Sequence, residues 1–278
     1  TGYNKYYNNT SKLNLQFQQD LSMITKGLNF SALFNMTCNS SMTRSRTKTP
    51  ALFDATKRKR DGTLDLQKKR DSSDPTFGVS TYVDRTYYFE TNANYERLFN
   101  NAHRVTGLAH FYMQDYISSN NTTDLSAIPK RYIAFSGRLT YAFKDTYLVE
   151  GNIGYTGSEA FEKGKRCGTF PAISVGWIPT QYAFIQKNIP FIDFLKFRGS
   201  YGQVGNDQMS TRFPYLTLMG PTDSGIWNSG SGYTETQVGS SNLRWETATK
   251  SDFGIDAKFW KNRFDLTVDF YKDIRSGI

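Results

Sequence analysis

Toward the end of the chain, Phe264, Leu266, Val268 and Phe270 alternate strictly with Asp265, Thr267, Asp269 and Tyr271. A period of two puts the first set on one face of a β-strand and the second set on the other. Just upstream, Phe253, Ile255, Ala257 and Phe259 alternate with Asp252, Gly254, Asp256 and Lys258, and Lys261, Asn262 and Arg263 separate the two runs. This predicts an antiparallel hairpin with a short turn. The same pattern sets Leu28, Phe30, Ala32, Phe34 and Met36 on one face after a Thr25-Lys26-Gly27 turn, and Ile133, Phe135, Gly137, Leu139, Tyr141 and Phe143 on one face before Lys144-Asp145-Thr146. In all, about ten strands are expected, over 12–24, 28–38, 86–99, 104–116, 132–143, 147–156, 168–178, 195–204, 247–260 and 264–275.

The connections between these strands alternate in length. Short ones fall at 25–27, 100–103, 144–146 and 261–263, with a moderate one at 179–194; long ones fall at 39–85, 117–131, 157–167 and 205–246. A meander with tight turns at one end and long loops at the other has the asymmetry of a membrane-spanning β-barrel. Aromatic residues sit beside the short turns: Phe143 and Tyr147, Phe259, Trp260 and Phe264, and Phe99. In a barrel these would form an interfacial girdle, whereas in a soluble sheet they would be cross-strand pairs.

Aromatic residues make up 15% of the chain and all hydrophobic residues 38%, a bias toward pleated surfaces. No run approaches the roughly 18 apolar residues that a membrane helix needs, which excludes a helical membrane protein but not a strand-built one. The strand-built case also accounts for the negative mean hydropathy, because alternate residues face water. Lys and Arg number 34 against 25 Asp and Glu, a formal charge of +9. Seven of the cations lie in two runs of the first long loop, Lys57 to Arg60 and Lys68 to Arg70, and without them the balance would be about +2. Few aromatics interleave with these runs, so a nucleic-acid partner is not expected; they read either as a solvated charged loop or as a surface that meets anionic lipopolysaccharide or a partner protein. Cys38 and Cys167 have no metal-ligand spacing, and His103 and His110, an odd number of residues apart on one strand, face opposite ways, so no metal or cofactor is expected. Gly202-Gln203-Val204-Gly205 lacks the following helix that a phosphate loop requires, and its glycines are expected to let the strand exit sharply into a loop. No catalytic cluster emerges, and the chain is not expected to be an enzyme.

Several blocks carry a family resemblance in order and spacing: LTYAFKDTYLVEGNIGYTG from Leu139, CGTFPAISVGW from Cys167, LKFRGSYGQVGND from Leu195 and NLRWETATKSDFGIDAKFWKNRFDLTVDFY from Asn242. Together they resemble the barrel of SusC/RagA-type TonB-dependent transporters of the Gram-negative outer membrane. The resemblance implies an all-β fold, an antiparallel up-and-down transmembrane β-barrel of which about ten of 22 strands are present. It implies that residues 1–278 are a middle segment of the barrel domain, cut from a longer protein, with the plug domain and closing strands elsewhere. It further implies import of a glycan or peptide, energised by the TonB complex acting through the plug, with a SusD-like surface lipoprotein as partner and the outer-membrane lipid as surroundings.

Candidate residues follow. Arg138, Thr140, Asp256, Lys258, Asp265 and Asp269 lie on the polar faces and are expected to face the lumen or the plug. Tyr215, Trp227 and Tyr233, in a long loop rich in Gly, Ser, Thr and Asn, are the candidate substrate contacts, since aromatic faces with nearby polar groups suit sugar rings or peptides. Trp245 and Glu246 mark the return into a strand and read as structural. The alternative from another class is a secreted or surface all-β binding module or adhesin, in which the apolar faces would be packed in a sandwich.

Overall fold

The computed structural model describes residues 2–119, 124–209, 211–222 and 232–277. Among them are β1 (Tyr3–Asp20), β2 (Leu28–Thr47), β3 (Leu52–Arg58), β4 (Leu64–Arg70), β5 (Thr76–Phe99), β6 (His103–Ser118), β7 (Lys130–Phe143), β8 (Tyr147–Gly157), β9 (Cys167–Trp177), β10 (Ile192–Asn206), β11 (Leu218–Thr222), β12 (Gly232–Gln237), β13 (Glu246–Phe259) and β14 (Phe264–Ser276). Among the described residues helix is confined to α1 (Asp124–Ala127), α2 (Ala183–Asn188) and a 3₁₀ turn at Pro179–Gln181. Ten strands form one sheet in the order β1-β2-β5-β6-β7-β8-β9-β10-β13-β14, while β3-β4 and β11-β12 are separate hairpins. Apart from those two insertions each strand pairs with its neighbour in the chain, the up-and-down order of a barrel wall.

All ten expected strands are present. The tight turns owe their form to residues in the left-handed region: Asn100 and Asn101 (φ 48° and 52°) and Lys144 and Asp145 (φ 50° and 49°) make paired turns of the primed type, whose twist matches that of the flanking strands. Trp260, Lys261 and Asn262 (φ 52°, 57° and 59°) close the last hairpin in the same conformation.

Three expectations need correction. Strands β1, β2 and β5 are 18 to 24 residues long, well beyond the span read from alternation. The added ends of β1 and β2 are largely polar on both sides, as in Asn8-Asn9-Thr10-Ser11, so the ladder continues where the two-residue signal has stopped, whereas the added start of β5 keeps Phe77, Val79 and Val83 in alternation. The long connections at 39–85 and 205–246 are not structureless but hold the β3-β4 and β11-β12 hairpins. Gly202 and Gly205 do not release the chain into a loop: β10 runs through both to Asn206, and the absence of a side chain at each makes room for Ala172 and for the Phe170 ring.

The decisive feature is a face with nothing over it. Leu139 is 61% exposed, Val175 54% and Phe270 64%, and Ile133, Val149, Ile173, Phe253, Phe264 and Leu266 are exposed as well. A sandwich would have buried these side chains under a second sheet.

By compactness the chain falls into two units. One comprises Thr1–Asn14, Asn35–Tyr87 and Tyr116–Pro129. Within it the β3-β4 hairpin is clipped at its base, where the Thr49 N–H donates to Ser73 Oγ and the Ser73 N–H donates to the Thr49 carbonyl, both at 3.0 Å. The other comprises Leu15–Phe34, Tyr88–Asp115 and Lys130–Ile278 and holds buried side chains, the fully covered Phe161 and Phe213 among them.

Candidate functional site

Registers place the polar positions of six adjacent strands on one face. Arg138 lies opposite Asn152 and Thr140 opposite Glu150; Glu150 lies opposite Ser174, Ser174 opposite Ser200, and Ser200 opposite Asp252. Gly254 then faces Asp269 and Lys258 faces Asp265. All six polar-face candidates, Arg138, Thr140, Asp256, Lys258, Asp265 and Asp269, therefore share one side of the sheet, opposite the exposed apolar side.

On that side they fall into three groups. The Thr140 hydroxyl donates to Glu150 at 3.2 Å, and Arg138 Nε donates to Asn152 Oδ1 at 3.3 Å and lies 3.9 Å from Glu150. Lys258 pairs with Asp265 at 3.7 Å. The third group has a centre that the sequence reading missed. Arg198 on β10 donates from Nε to Asp256 at 3.1 Å, from Nη1 to Asp252 at 3.1 Å and from Nη2 to Asp269. One guanidinium thus holds three carboxylates from two strands. Gly254, between Arg198 and Asp269 in the row, permits this: a Cβ there would stand 2.5 Å from both Arg198 Cζ and Asp269 Oδ1. Alternation over Lys196, Arg198 and Ser200 would have placed Arg198 on the polar face, but its partners follow only from register.

Loops at the ends of β8, β10 and β12 join in a small core. Phe161, fully buried, packs 5.1 Å from Trp245, which lies 5.3 Å from Phe170. Arg212 pairs with Glu159 at 2.9 Å and covers the Phe213 ring at 4.7 Å, and Gln237 Nε2 donates to the carbonyls of Phe213 and Leu216 at 3.0 Å. Against this core Tyr215 is half-buried, edge-on to Phe213 at 6.2 Å. Tyr233, on β12, is 75% exposed. Trp227 lies outside the described residues. Among the described residues no ring contact joins Tyr215 to Tyr233. Trp245 is engaged in the loop core and Glu246 accepts from Asn206 at 2.9 Å, a structural use of both.

The histidines are each engaged within the chain: His103 Nδ1 lies 2.7 Å from the Tyr141 hydroxyl and His110 Nδ1 lies 2.6 Å from Asn92 Oδ1. The two basic runs occupy the β3-β4 hairpin, where Lys68 pairs with Asp71 and Lys69 lies 4.0 Å from Asp54. At the hairpin tip the Thr63 hydroxyl and backbone N–H donate to Asp61 at 2.7 and 3.0 Å, holding its carboxyl below the ordinary carboxylate range.

Comparison with known proteins agrees with this architecture. Residues 1–277 match the family model described as TonB dependent receptor-like, beta-barrel. A TonB-dependent receptor of Formosa agariphila is 32% identical over 217 residues, covering 69% of this chain and 20% of that protein. The TonB-dependent receptor SusC of Bacteroides thetaiotaomicron is 29% identical over 143 residues, covering 50% of this chain and 14% of that protein. Among solved structures, that of the RagAB peptide transporter superposes with a TM-score of 0.65 at 17% identity, over 97% of this chain and 30% of that one, a likeness of fold. The chain spans a fifth or less of the length of these two curated relatives.

Proposed function

Because the chain belongs to the TonB-dependent receptor-like β-barrel family, an outer-membrane family, we propose that it forms part of the wall and external loops of an importer for glycans or peptides. The observation that carries this reading is the uncovered apolar face: side chains such as Leu139, Val175 and Phe270 stay exposed on adjacent strands, and in water a contiguous apolar surface of that kind would drive association. Lipid is its natural solvent. The face opposite is polar, as the wall of a wet channel must be. On this reading Arg138, Thr140, Asp256, Lys258, Asp265 and Asp269 line the channel or meet a plug supplied by the rest of the protein. Tyr215, Trp227 and Tyr233 meet the cargo from the external loops, a SusD-like lipoprotein is the surface partner, and the TonB complex supplies energy through the plug. Import by these residues requires no bond chemistry, only a path and a moving plug. The alternative, a secreted or surface binding module, would need its apolar face covered, and the exposures count against it.

Uptake of labelled oligosaccharides and oligopeptides by cells carrying the complete transporter tests the reading. Deleting the transporter and depleting TonB are expected to abolish uptake of the same cargo class. Uptake that survives both would overturn the proposal. Replacing Tyr215, Trp227 and Tyr233 together by Ala in the complete protein is expected to weaken cargo affinity about tenfold, equivalent to about 1.4 kcal/mol.

A further inference from the structure

On the last hairpin, β13-β14, the apolar face can be measured from end to end. Register sets Phe253 opposite Phe270, Ile255 opposite Val268, Ala257 opposite Leu266 and Phe259 opposite Phe264. Past Phe253 and Phe270 the next pair on that face is Ser251 and Lys272; past Phe259 and Phe264 come the turn residues Lys261 and Arg263. Cations therefore bound the band at both ends. Arg263 and Lys272 are nine residues apart in the chain, which is about 30 Å along a strand and about 23 Å along the membrane normal at a tilt of about 40°. A membrane barrel carries an apolar band roughly 25 Å tall, so Lys261 and Arg263 stand at the level of the lipid headgroups.

The turn end of this band is a slab of rings. Phe259 is its centre: Phe191 stacks on it at 6.5 Å with an interplanar angle of 12°, and Trp260 and Phe264 lie 5.7 and 5.9 Å from it. Trp260 meets Phe264 edge-on at 6.3 Å. Phe191, Trp260 and Phe264 are each about half exposed. The Trp260 N–H donates to the Phe191 carbonyl and the Asn262 N–H donates to Asp193, both at 3.0 Å, which pins the turn against the connection 178–191. Lys261 and Arg263 are exposed, and among the described residues neither forms an ion pair. Carboxylates beside them are engaged elsewhere, Asp265 with Lys258 on the polar face and Asp193 with the turn backbone. At the β7-β8 turn, by contrast, Asp145 pairs with Arg104 at 3.3 Å and Lys144 lies over the Phe143 ring at 5.5 Å.

We propose that Lys261 and Arg263 hold the phosphate of an anionic phospholipid of the periplasmic leaflet, whose acyl chains lie along the rings of Phe191, Trp260 and Phe264. Short turns of such barrels face the periplasm, and aromatic rings with one wet edge suit that boundary. The two cations answer the negative charge of a phosphodiester. A zwitterionic headgroup brings its own ammonium to the same place and gains less, so the site is expected to favour phosphatidylglycerol over phosphatidylethanolamine. A soluble protein partner fits less well, because the rings lie on the row that continues through Leu266 and Val268 into the hydrocarbon.

The inference needs the membrane setting of this face and says nothing of cargo, so uptake can persist where it fails. Phosphatidylglycerol and phosphatidylethanolamine are titrated onto the complete receptor in detergent, and the lipid retained per receptor is read by native mass spectrometry. Three receptors are compared: the wild type, the double variant Lys261→Gln, Arg263→Gln, and the control double Lys144→Gln, Lys187→Gln, which removes the same charge from the same end of the barrel. Each is first shown to keep heat-modifiable mobility, and the wild-type comparison of the two lipids stands whatever the variants do. The wild type is expected to retain phosphatidylglycerol about tenfold more tightly than phosphatidylethanolamine. The first double should lose that preference, and the control should stay within about twofold of the wild type. Equal retention of the two lipids, equal losses in the two doubles, or displacement of the lipid by soluble glycerol phosphate at matched concentration would each overturn the proposal.

Discussion

At the scale of single residues, Arg198 is the most consequential side chain outside the expected set. Its side chain is about one-third exposed, so its three ion pairs are screened and worth less than buried ones, each about 0–1 kcal/mol. Removing the cation does more than remove those pairs, because Asp252, Asp256 and Asp269 are then left facing one another. Arg198→Met in the complete receptor is expected to lower stability by about 1–3 kcal/mol, read as thermal unfolding in detergent. The loss should be smaller in Arg198→Lys, which keeps the charge but not the fork. Gly254→Val is expected to act like Arg198→Met, since its side chain would occupy the space of the guanidinium. Wild-type stability in both Arg198→Met and Gly254→Val would show that the cluster holds nothing. Of this group Asp256 and Asp269 were legible from alternation, but Arg198 was not singled out, because nothing in one strand's sequence says which carboxylates its neighbours bring alongside.

At the scale of elements, β14 states the two-faced design most plainly. Its whole length is exposed, with Leu266 and Val268 on one side and Asp265 and Asp269 on the other. In a cysteine-free version of the complete receptor in intact outer membranes, Asp265→Cys and Asp269→Cys are expected to react with a water-soluble maleimide while Leu266→Cys and Val268→Cys stay protected by lipid. The reverse pattern would invert the faces. Val268→Arg is expected to impair assembly, with a cost of about 2–4 kcal/mol near the bilayer midplane, measured as loss of heat-modifiable protein. Such strands were readable because hydrocarbon demands unbroken alternation. The hairpins β3-β4 and β11-β12 were not, since their short strands mix both residue types and each carries a register shift.

At the scale of the whole molecule, the sheet ends in two edges, β1 and β14, exposed along their lengths. Every unpaired backbone group in hydrocarbon costs several kcal/mol, so residues 1–278 expressed without the remaining strands are expected not to insert. Offered to liposomes, they should show no heat-dependent gel shift, and a compact heat-sensitive band would contradict this. What the sequence determined by itself was the ten-stranded meander, its two opposed faces and the alternation of short turns with long loops. Those are local properties: a period of two needs only consecutive residues, and each strand of the sheet pairs with the next in the chain apart from the two insertions. Only the tertiary structure decided that Arg198 gathers three carboxylates across β13 and β14 and that Phe161, Phe170 and Trp245 knit separate loops into a core. These depend on hydrogen-bond register and on side chains reaching across strands about 4.8 Å apart, where a shift of one residue would move every side chain to the opposite face.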